Sequence, residues 1–582
     1  MAKVNLKGAL KTEKIGDFGG ICHEGGMGSF NAFDSCNFRI LPDGALEKRE
    51  GFAPIMTLSG EPRAFWNGYI SGEGRMFALI GSGIYTIDIS GGNETLIGTV
   101  LSSTGAAEFF FYRGMLYLVD GVEVYRYENG AFETVSGYVP LYGKNWNGGY
   151  GGTVNEDINY LSDKIRIHFN ISDITTTFYL GIKCCEILSF VASGKDQLDI
   201  VALDETGMRI IVDGGIVSFG DIEVCLRLAP EECRRDELLG VTRSAVYGGV
   251  DDGRIMLYGG SDRSKLFTSR FVSGKAFAES ASVDPSAAEV YFPLSDVISV
   301  SYGRYPITAV CRHYDRLLIF TERETWMADF TKEGDSPYIV PINSSVGCFS
   351  ENGAVLGGNS PFTVSEGGIY RWTAEDDERN ECNAVCISGK INDMLDSSFF
   401  DHTVAYYHRR RDEIWFADPD SDEQDVFIYS VGGGKWFRFS GIPVDLFFSC
   451  GDNVGMLYGK YIFAFSELNT VDTGIGGSIT DNIDAYYESN FTDFEHPERS
   501  KHLKRVLLDA DCDNDALSIS FIGDRGGKKT IEIDDSNGSD RRYSTYLDAR
   551  LDIGRFRKMN FIIRTSGGGR PRIKTLTLAA YK

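Results

Sequence analysis

The chain has 582 residues, too many for one hydrophobic core and enough for several domains. With 42% hydrophobic residues, 29 Tyr and 38 Phe it is not a disordered chain, and a net charge of -25 argues against a protein that grips nucleic acid by a surplus of cations. The 68 Gly against 15 Pro, set between β-branched and aromatic runs, predict many tight turns and an all-β protein.

The first twenty residues, "MAKVNLKGALKTEKIGDFGG", carry lysines throughout and no apolar run, so no signal peptide is expected. No later stretch offers the ~18 consecutive apolar residues of a membrane span. The segment "CNFRILPDGALEKREGFAPI", Cys36 to Ile55, reads as a strand, a Pro-Asp-Gly turn and a second strand. Lys48 and Arg49 lie between Glu47 and Glu50, so the charges nearly balance and no basic DNA-binding patch is expected. The predicted role is a strand pair that closes against a late strand near "MLYGKYIFAF".

Seven segments then repeat one form, an apolar strand, a Gly or Asp turn, and another apolar strand. They begin at Gly74, Gly114, Gly253, Asp315, Ser360, Asp412 and Val454. Most lie roughly 40 to 60 residues apart, the spacing of four-stranded blades in a β-propeller. The interval from Gly114 to Gly253 is 139 residues, which leaves room for an inserted small β-domain with strands such as "DKIRIHFNI" and "IEVCLRLA". After Glu467, "LNTVDTGIGGSITDN" reads as a polar bridge to a C-terminal β-sandwich, in which Leu517, Ile519 and Phe521 face one way and Ser518 and Ser520 the other. The predicted boundaries are therefore 1–144 for an N-terminal clasp and first blades, 145–232 for the insertion, 233–467 for the remaining blades and 468–582 for linker and sandwich. From Asp481 onward 18 Lys and Arg meet 17 Asp and Glu, so the acid excess lies in the earlier residues.

The residue patterns predict no catalytic, cofactor-binding or metal site, and no enzyme. "DPDSDEQD", Asp418 to Asp425, begins like a calcium loop but has neither the Gly at its sixth position nor the Glu at its twelfth, where Tyr429 stands. It is expected to be a solvated hairpin tip. The twelve Cys have no paired C-x-x-C spacing; Cys382 and Cys386 are expected as thiols, adjacent Cys184 and Cys185 as strand residues on opposite faces, and all as reduced groups of a protein made in a cytosol. His23, His168, His313, His402, His408, His496 and His502 are scattered. His408 with Arg409, Arg410 and Arg411 is expected on a solvated turn between blades, with docking of an acidic partner as the functional alternative. "TSGGGRP" near Thr565 joins two strands and is read as a turn.

The N-terminal stretch Gly19 to Phe52 carries a resemblance. A "GGI" segment leads to the pattern Asn37, Arg39, Asp43, Gly44, Leu46, Arg49, Gly51, Phe52, which resembles the signature of the tail nozzle and packaged-DNA stabilisation proteins (tail tubular protein B-like) of short-tailed phages. The C-terminal "HLKRVLLDAD" and "RIKTLTLAAYK" are similar to the closing sandwich of such proteins. The resemblance implies a structural protein of the virion tail, assembled in the host cytoplasm. It implies a ring of this chain, a homohexamer, as nozzle or hub below the portal and adaptor. Packaged DNA would be retained by that ring and pass through it without sequence-specific binding. A tail-tip propeller that binds a receptor or glycan is the alternative, and a propeller glycosidase the more remote one.

Overall fold

The computed structural model describes the chain except for residues 1–9, 24–29, 147–152, 155, 173–174, 214–219, 248–252, 271–288, 331–337, 374–382, 476–479, 514, 534–544 and 582. The chain is all-β: its described helices are short, such as Arg235–Leu239 and Ser397–His402, the latter capped by Asp396, which accepts from the Phe399 amide. No helix among the described residues is long and apolar enough to cross a membrane. The chain divides into two compact units, residues 62–345 and residues 1–61 joined with 346–582.

The unit of residues 62–345 contains four antiparallel four-stranded sheets, covering Pro62–Thr99, Glu108–Thr134, Arg243–Ser299 and Ile307–Asn343. In each, consecutive strands pair in order, so each sheet is a meander. The hairpins expected at Gly74, Gly114, Gly253 and Asp315 are the inner strand pairs of these sheets, and inner strands such as Arg254–Tyr258 are buried on both faces. Between the second and third sheets lies the insertion, from Leu141 to Leu228. A six-stranded sheet and the three strands Thr177–Tyr179, Arg209–Val212 and Val201–Leu203 share one core, where Phe178 meets Phe169 and Phe190 edge to face. The expected boundary at 145 falls inside the strand Leu141–Trp146, which runs parallel to Lys164–Ile171 and belongs to the insertion.

The other unit holds the remaining meanders. Ala354–Cys386 forms one sheet, and Val404–Phe439 forms four strands of a larger one. The third, Leu446–Cys450, Asn453–Tyr458 and Tyr461–Ser466, is completed by a strand from far upstream: Gly51–Thr57 pairs antiparallel with Tyr461–Ser466, Phe52 opposite Phe465. The expected closure near "MLYGKYIFAF" is therefore made by this one strand.

The hairpin before it goes elsewhere. Phe38–Ile40 and Leu46–Lys48 pair with each other, and Leu46–Lys48 then joins the C-terminal strand Arg572–Tyr581, so the expected hairpin stays in one sheet and only its continuation, Gly51–Thr57, enters the sheet of Tyr461–Ser466. The C-terminal strands Lys501–Asp511, Arg572–Tyr581 and Thr545–Arg550 form a sheet with that hairpin and with Leu10–Ile15. Ala485–Ser489, Met559–Thr565, Leu517–Gly523 and Lys528–Ile533 continue through Ala32–Cys36 into the Val404–Phe439 meander, giving nine strands in one sheet. Residues 468–582 are thus not a separate body. Their core, with Leu503, Val506 and Leu508 on one sheet and Leu517, Ile519 and Phe521 on the other, is continuous with that of the meanders. Ser518 and Ser520 alternate on the less buried face, as period 2 requires.

Trp415 lies at the centre of this core. It is fully buried, and its ring meets Phe439, Phe447 and Phe465 edge to face at 5.4 to 5.8 Å between centroids. Trp415→Ala is expected to lower stability by about 3–5 kcal/mol, read as a reduced urea midpoint of the full chain at unchanged slope.

Candidate functional site: a buried clasp of charges

The hairpin after Cys36 is built for a tight reversal. Pro42 fixes one turn dihedral, Gly44 takes φ +81°, and the Gly44 amide donates to Leu41 O at 2.9 Å. Asp43, at the tip, pairs with Arg572 of the adjoining strand. The alternation of the strands puts Phe38, Ile40 and Leu46 in the core, yet Arg39, Lys48 and Arg49 are buried as well, each no more than 1% exposed. Three cations without water need partners, and all of them are found.

Arg39 Nη1 donates to Glu50 Oε2 at 2.5 Å, and its Nε donates to Glu413 Oε1 at 2.9 Å. The guanidinium also lies over the Phe439 ring, 5.1 Å from its centroid. Arg49 makes a two-pronged pair with Asp472, at 2.8 and 2.5 Å, and gives its Nε to Asn37 Oδ1 at 2.9 Å. Lys48 Nζ reaches Asp515 Oδ2 at 2.9 Å and Gly567 O at 2.6 Å. Arg570, at the rim, bridges Glu47 and Glu50 and donates to Lys48 O at 2.9 Å. Arg411 approaches Glu50 to 3.7 Å. Five cations face five carboxylates, so the cluster carries no net charge.

Asn37 holds the entry to this cluster in the left-handed region, φ 58°, which Asn tolerates better than most residues. Its carbonyl oxygen Oδ1 accepts from Arg49 and from the Ser440 amide, and its Nδ2 donates to Asp484 O at 2.8 Å. At Gly51 a methyl group would stand 2.0 Å from Val471 O, so only glycine lets the strand pass the Val471–Thr473 ribbon. That ribbon pairs with Thr480–Asn482 inside the expected polar bridge and carries Asp472.

The same electrostatics set the protonation states. Burial alone would raise the Glu50 carboxyl, but the charges of Arg39, Arg411 and Arg570 overcome it and hold Glu50 well below the usual carboxylate range. Burial opposes the Arg39 charge, and Glu413 and Glu50 more than restore it. At Lys48 burial prevails and lowers the amine, with Asp515 offsetting only part.

The other sequence candidates have other settings. Of the run His408 to Arg411, Arg409 and Arg410 are exposed as expected, whereas His408 is buried against the Trp415 edge and the half-buried Arg411 turns towards Glu50 and Glu467; the turn joins two strands of one sheet. Arg410 reaches Asp452 and Glu467 at 3.8 Å, largely in solvent. Cys184 is buried and Cys185 exposed on the opposite face. Cys386 is exposed, and Cys382 lies outside the described residues. In "DPDSDEQD", Asp418 and Asp420 come near His402, the one group of three ligand-type side chains within metal-binding distance among the described residues. Both Asp418 oxygens are already used, accepting from Ser398 Oγ at 2.9 Å and from the Asp420 amide at 3.0 Å, which makes the tip a hydrogen-bonded turn. Glu413, Asp472, Asp515 and Arg570 complete the clasp from hundreds of residues away, and no spacing in the sequence marks them.

Removing one member of a buried pair strands its partner. Arg39→Met is expected to destabilise the chain by about 3–5 kcal/mol, while replacing Arg39, Glu50 and Glu413 together by apolar residues of similar size recovers most of that loss in denaturant melts.

The clasp also predicts a pH dependence. Burial first, then the Arg39 and Arg411 charges, push the His408 pKa from 6.5 down to about 4. Between those values the unfolded chain binds a proton that the folded chain refuses. Stability is therefore complete above the ordinary histidine value and falls as pH drops towards about 4, by roughly 2 kcal/mol after allowance for screening. Urea midpoints measured from pH 7 to pH 5 should show this slope, and His408→Phe should flatten it.

No family model matches the chain, and no curated protein does. Among solved structures, the AfRom2 CNH domain aligns with 72% of this chain and 100% of its own, at 6% identity and a TM-score of 0.31. The exo-beta-1,3-galactanase Pc1,3Gal43A of Phanerochaete chrysosporium aligns with 91% of this chain and 100% of its own, at 7% identity and a TM-score of 0.23. At such TM-scores neither likeness carries a conclusion about this chain.

Proposed function

We propose that this chain is a structural subunit of a short-tailed phage tail, a nozzle or hub ring below the portal and adaptor that retains packaged DNA and lets it pass at ejection. The observation that carries the reading is the N-terminal pattern. Of its polar and glycine positions, Asn37, Arg39, Arg49 and Gly51 build the buried clasp, and Gly44 and Asp43 shape and tether the exposed turn of the hairpin that carries it, so the feature resembling the family is one on which this fold rests. In this reading the four-stranded meanders form a propeller body, and the protein acts by shape and charge without catalysis.

The charge fits the task. Six copies at -25 each sum to about -150 before counterions, and such a wall repels phosphate instead of releasing counterions to bind it. DNA is held by constriction and slides without adhesion.

Two measurements test the proposal. Purified with the portal and adaptor, the chain is expected to join them as a six-fold ring on the tail axis, seen by electron cryomicroscopy; a position on the outer capsid surface away from the DNA path would falsify it. Duplex DNA is expected to show no retention on the purified protein at physiological salt, and tight, salt-sensitive binding would remove the low-friction mechanism.

A further inference from the structure

Lys48 and Asp515 stand apart from the other pairs of the clasp. Both side chains are 0% exposed, whereas Glu50 and Glu413, partners of Arg39, keep 6% and 5% in solvent, and Asp472 and Glu47, partners of Arg49 and Arg570, keep 17% and 20%. We propose that Lys48 Nζ and Asp515 Cγ are joined by an intramolecular isopeptide bond, formed within the folded chain with loss of one water.

The geometry brings the reacting groups together. Nζ stands 2.9 Å from Asp515 Oδ2, and the carboxyl carbon lies one C–O bond, about 1.2 Å, beyond that oxygen. A small rotation of the carboxyl group brings Nζ to the roughly 3–3.5 Å from which attack proceeds. Gly567 O, 2.6 Å from Nζ, accepts one amine hydrogen and fixes the direction of the nitrogen. Asp515 Oδ1 is buried and makes no hydrogen bond among the described residues, so no other donor fixes the carboxyl group against rotation at that oxygen. Gly567 also covers the pair: a methyl group on it would stand 2.0 Å from Oδ1.

The chemistry closes without a further reactant. Out of water the neutral pair competes with the ion pair, and burial already lowers the Lys48 amine. One proton passes from the ammonium to the carboxylate along their hydrogen bond, giving an amine and a carboxylic acid. The Nζ lone pair then attacks Cγ, the Nζ–Cγ bond forms, a second amine proton moves to the departing hydroxyl, and the Cγ–O bond breaks. An amide and one water result, with no change in oxidation state. Fixed positions supply the effective concentration that a bimolecular condensation lacks, and exclusion of solvent opposes hydrolysis.

The bond would tie residue 48 to residue 515, locking the N-terminal hairpin to the C-terminal strands. The test is mass spectrometry of the full-length protein, denatured after folding. The expected intact mass is one water below that of the sequence, and a tryptic digest contains a branched peptide joining the Lys48 and Asp515 segments. Asp515→Ala and Lys48→Arg each restore the full mass. An intact mass equal to the sequence mass overturns the proposal and leaves a plain buried ion pair. A mass one water low without the branched peptide also overturns it, since a cyclised aspartate elsewhere loses the same water. The wild-type measurement decides even if neither variant folds.

Discussion

Desolvation of Arg39 is the constraint on which this unit depends. A guanidinium removed from water costs several kcal/mol unless its fork of donors is filled. Glu50 lies eleven positions away and can be supplied by the hairpin itself, but Glu413 is 374 positions away and comes from the strand Glu413–Ala417. Filling the fork therefore fixes where that strand runs beside the hairpin. Once Glu413 is in place it also accepts from Trp415 Nε1 at 3.1 Å, so the orientation of the central indole follows from the same charge. Arg49 imposes a similar condition on the Val471–Thr473 ribbon and Lys48 on the Gly567 turn. Three adjacent or near-adjacent cations thus draw three distant parts of the chain to one place.

Such an arrangement is not the cheapest way to gain stability. Apolar residues of the same volume would serve as well or better, because the Coulomb attraction inside a protein largely offsets the loss of hydration. What charges supply is discrimination among registers. Slipping Gly51–Thr57 by one residue along Tyr461–Ser466 would turn Phe52 out of the core and pull Arg49 away from Asp472 at once. In a chain of similar four-stranded meanders, where many strands could pair with many others, penalties of that kind keep the first strand in its proper sheet. The folding order follows: these contacts span more than 400 residues, so the unit cannot close before its last strands exist.

The sequence revealed what depends on local chemistry. All seven hairpins were legible because apolar alternation and a turn residue lie within about 20 residues of each other, and so was the alternation of Leu517, Ile519 and Phe521. The outer strands of the meanders were less legible, since strands such as Asn93–Thr99 face solvent on much of their surface and carry little apolar signal. The partner of the Pro-Asp-Gly hairpin is hidden in the sequence for a different reason. Proximity along the chain suggested one destination for both strands and the one after them, whereas Arg49 to Gly51 is the point at which the chain crosses from the C-terminal sheet to the Tyr461–Ser466 sheet. A charged run such as His408 to Arg411 predicts a solvated turn, and only the tertiary position of Arg39 and Glu50 draws His408 inside and Arg411 to its edge. Asp472, in a polar glycine-rich stretch, gives no sign in the sequence that it closes a buried pair.

The balance inside the clasp also bears on the surface. Its five cations and five carboxylates cancel, so the charge of -25 is carried entirely by residues outside it, and the basic residues of the N-terminal pattern are spent on one another's acidic partners. Lys48, Arg49 and Arg39 cannot meet a phosphate without leaving the interior, where each would abandon a carboxylate. A basic-looking motif in an acidic chain therefore has a definite physical meaning: it compensates selected internal acids at fixed positions, and Arg39, Lys48 and Arg49 add no cation to the exterior. In the proposed ring, retention of DNA and smooth passage make opposite demands on a wall, and separating structural cations from the surface allows constriction to provide the first while the remaining acids provide the second.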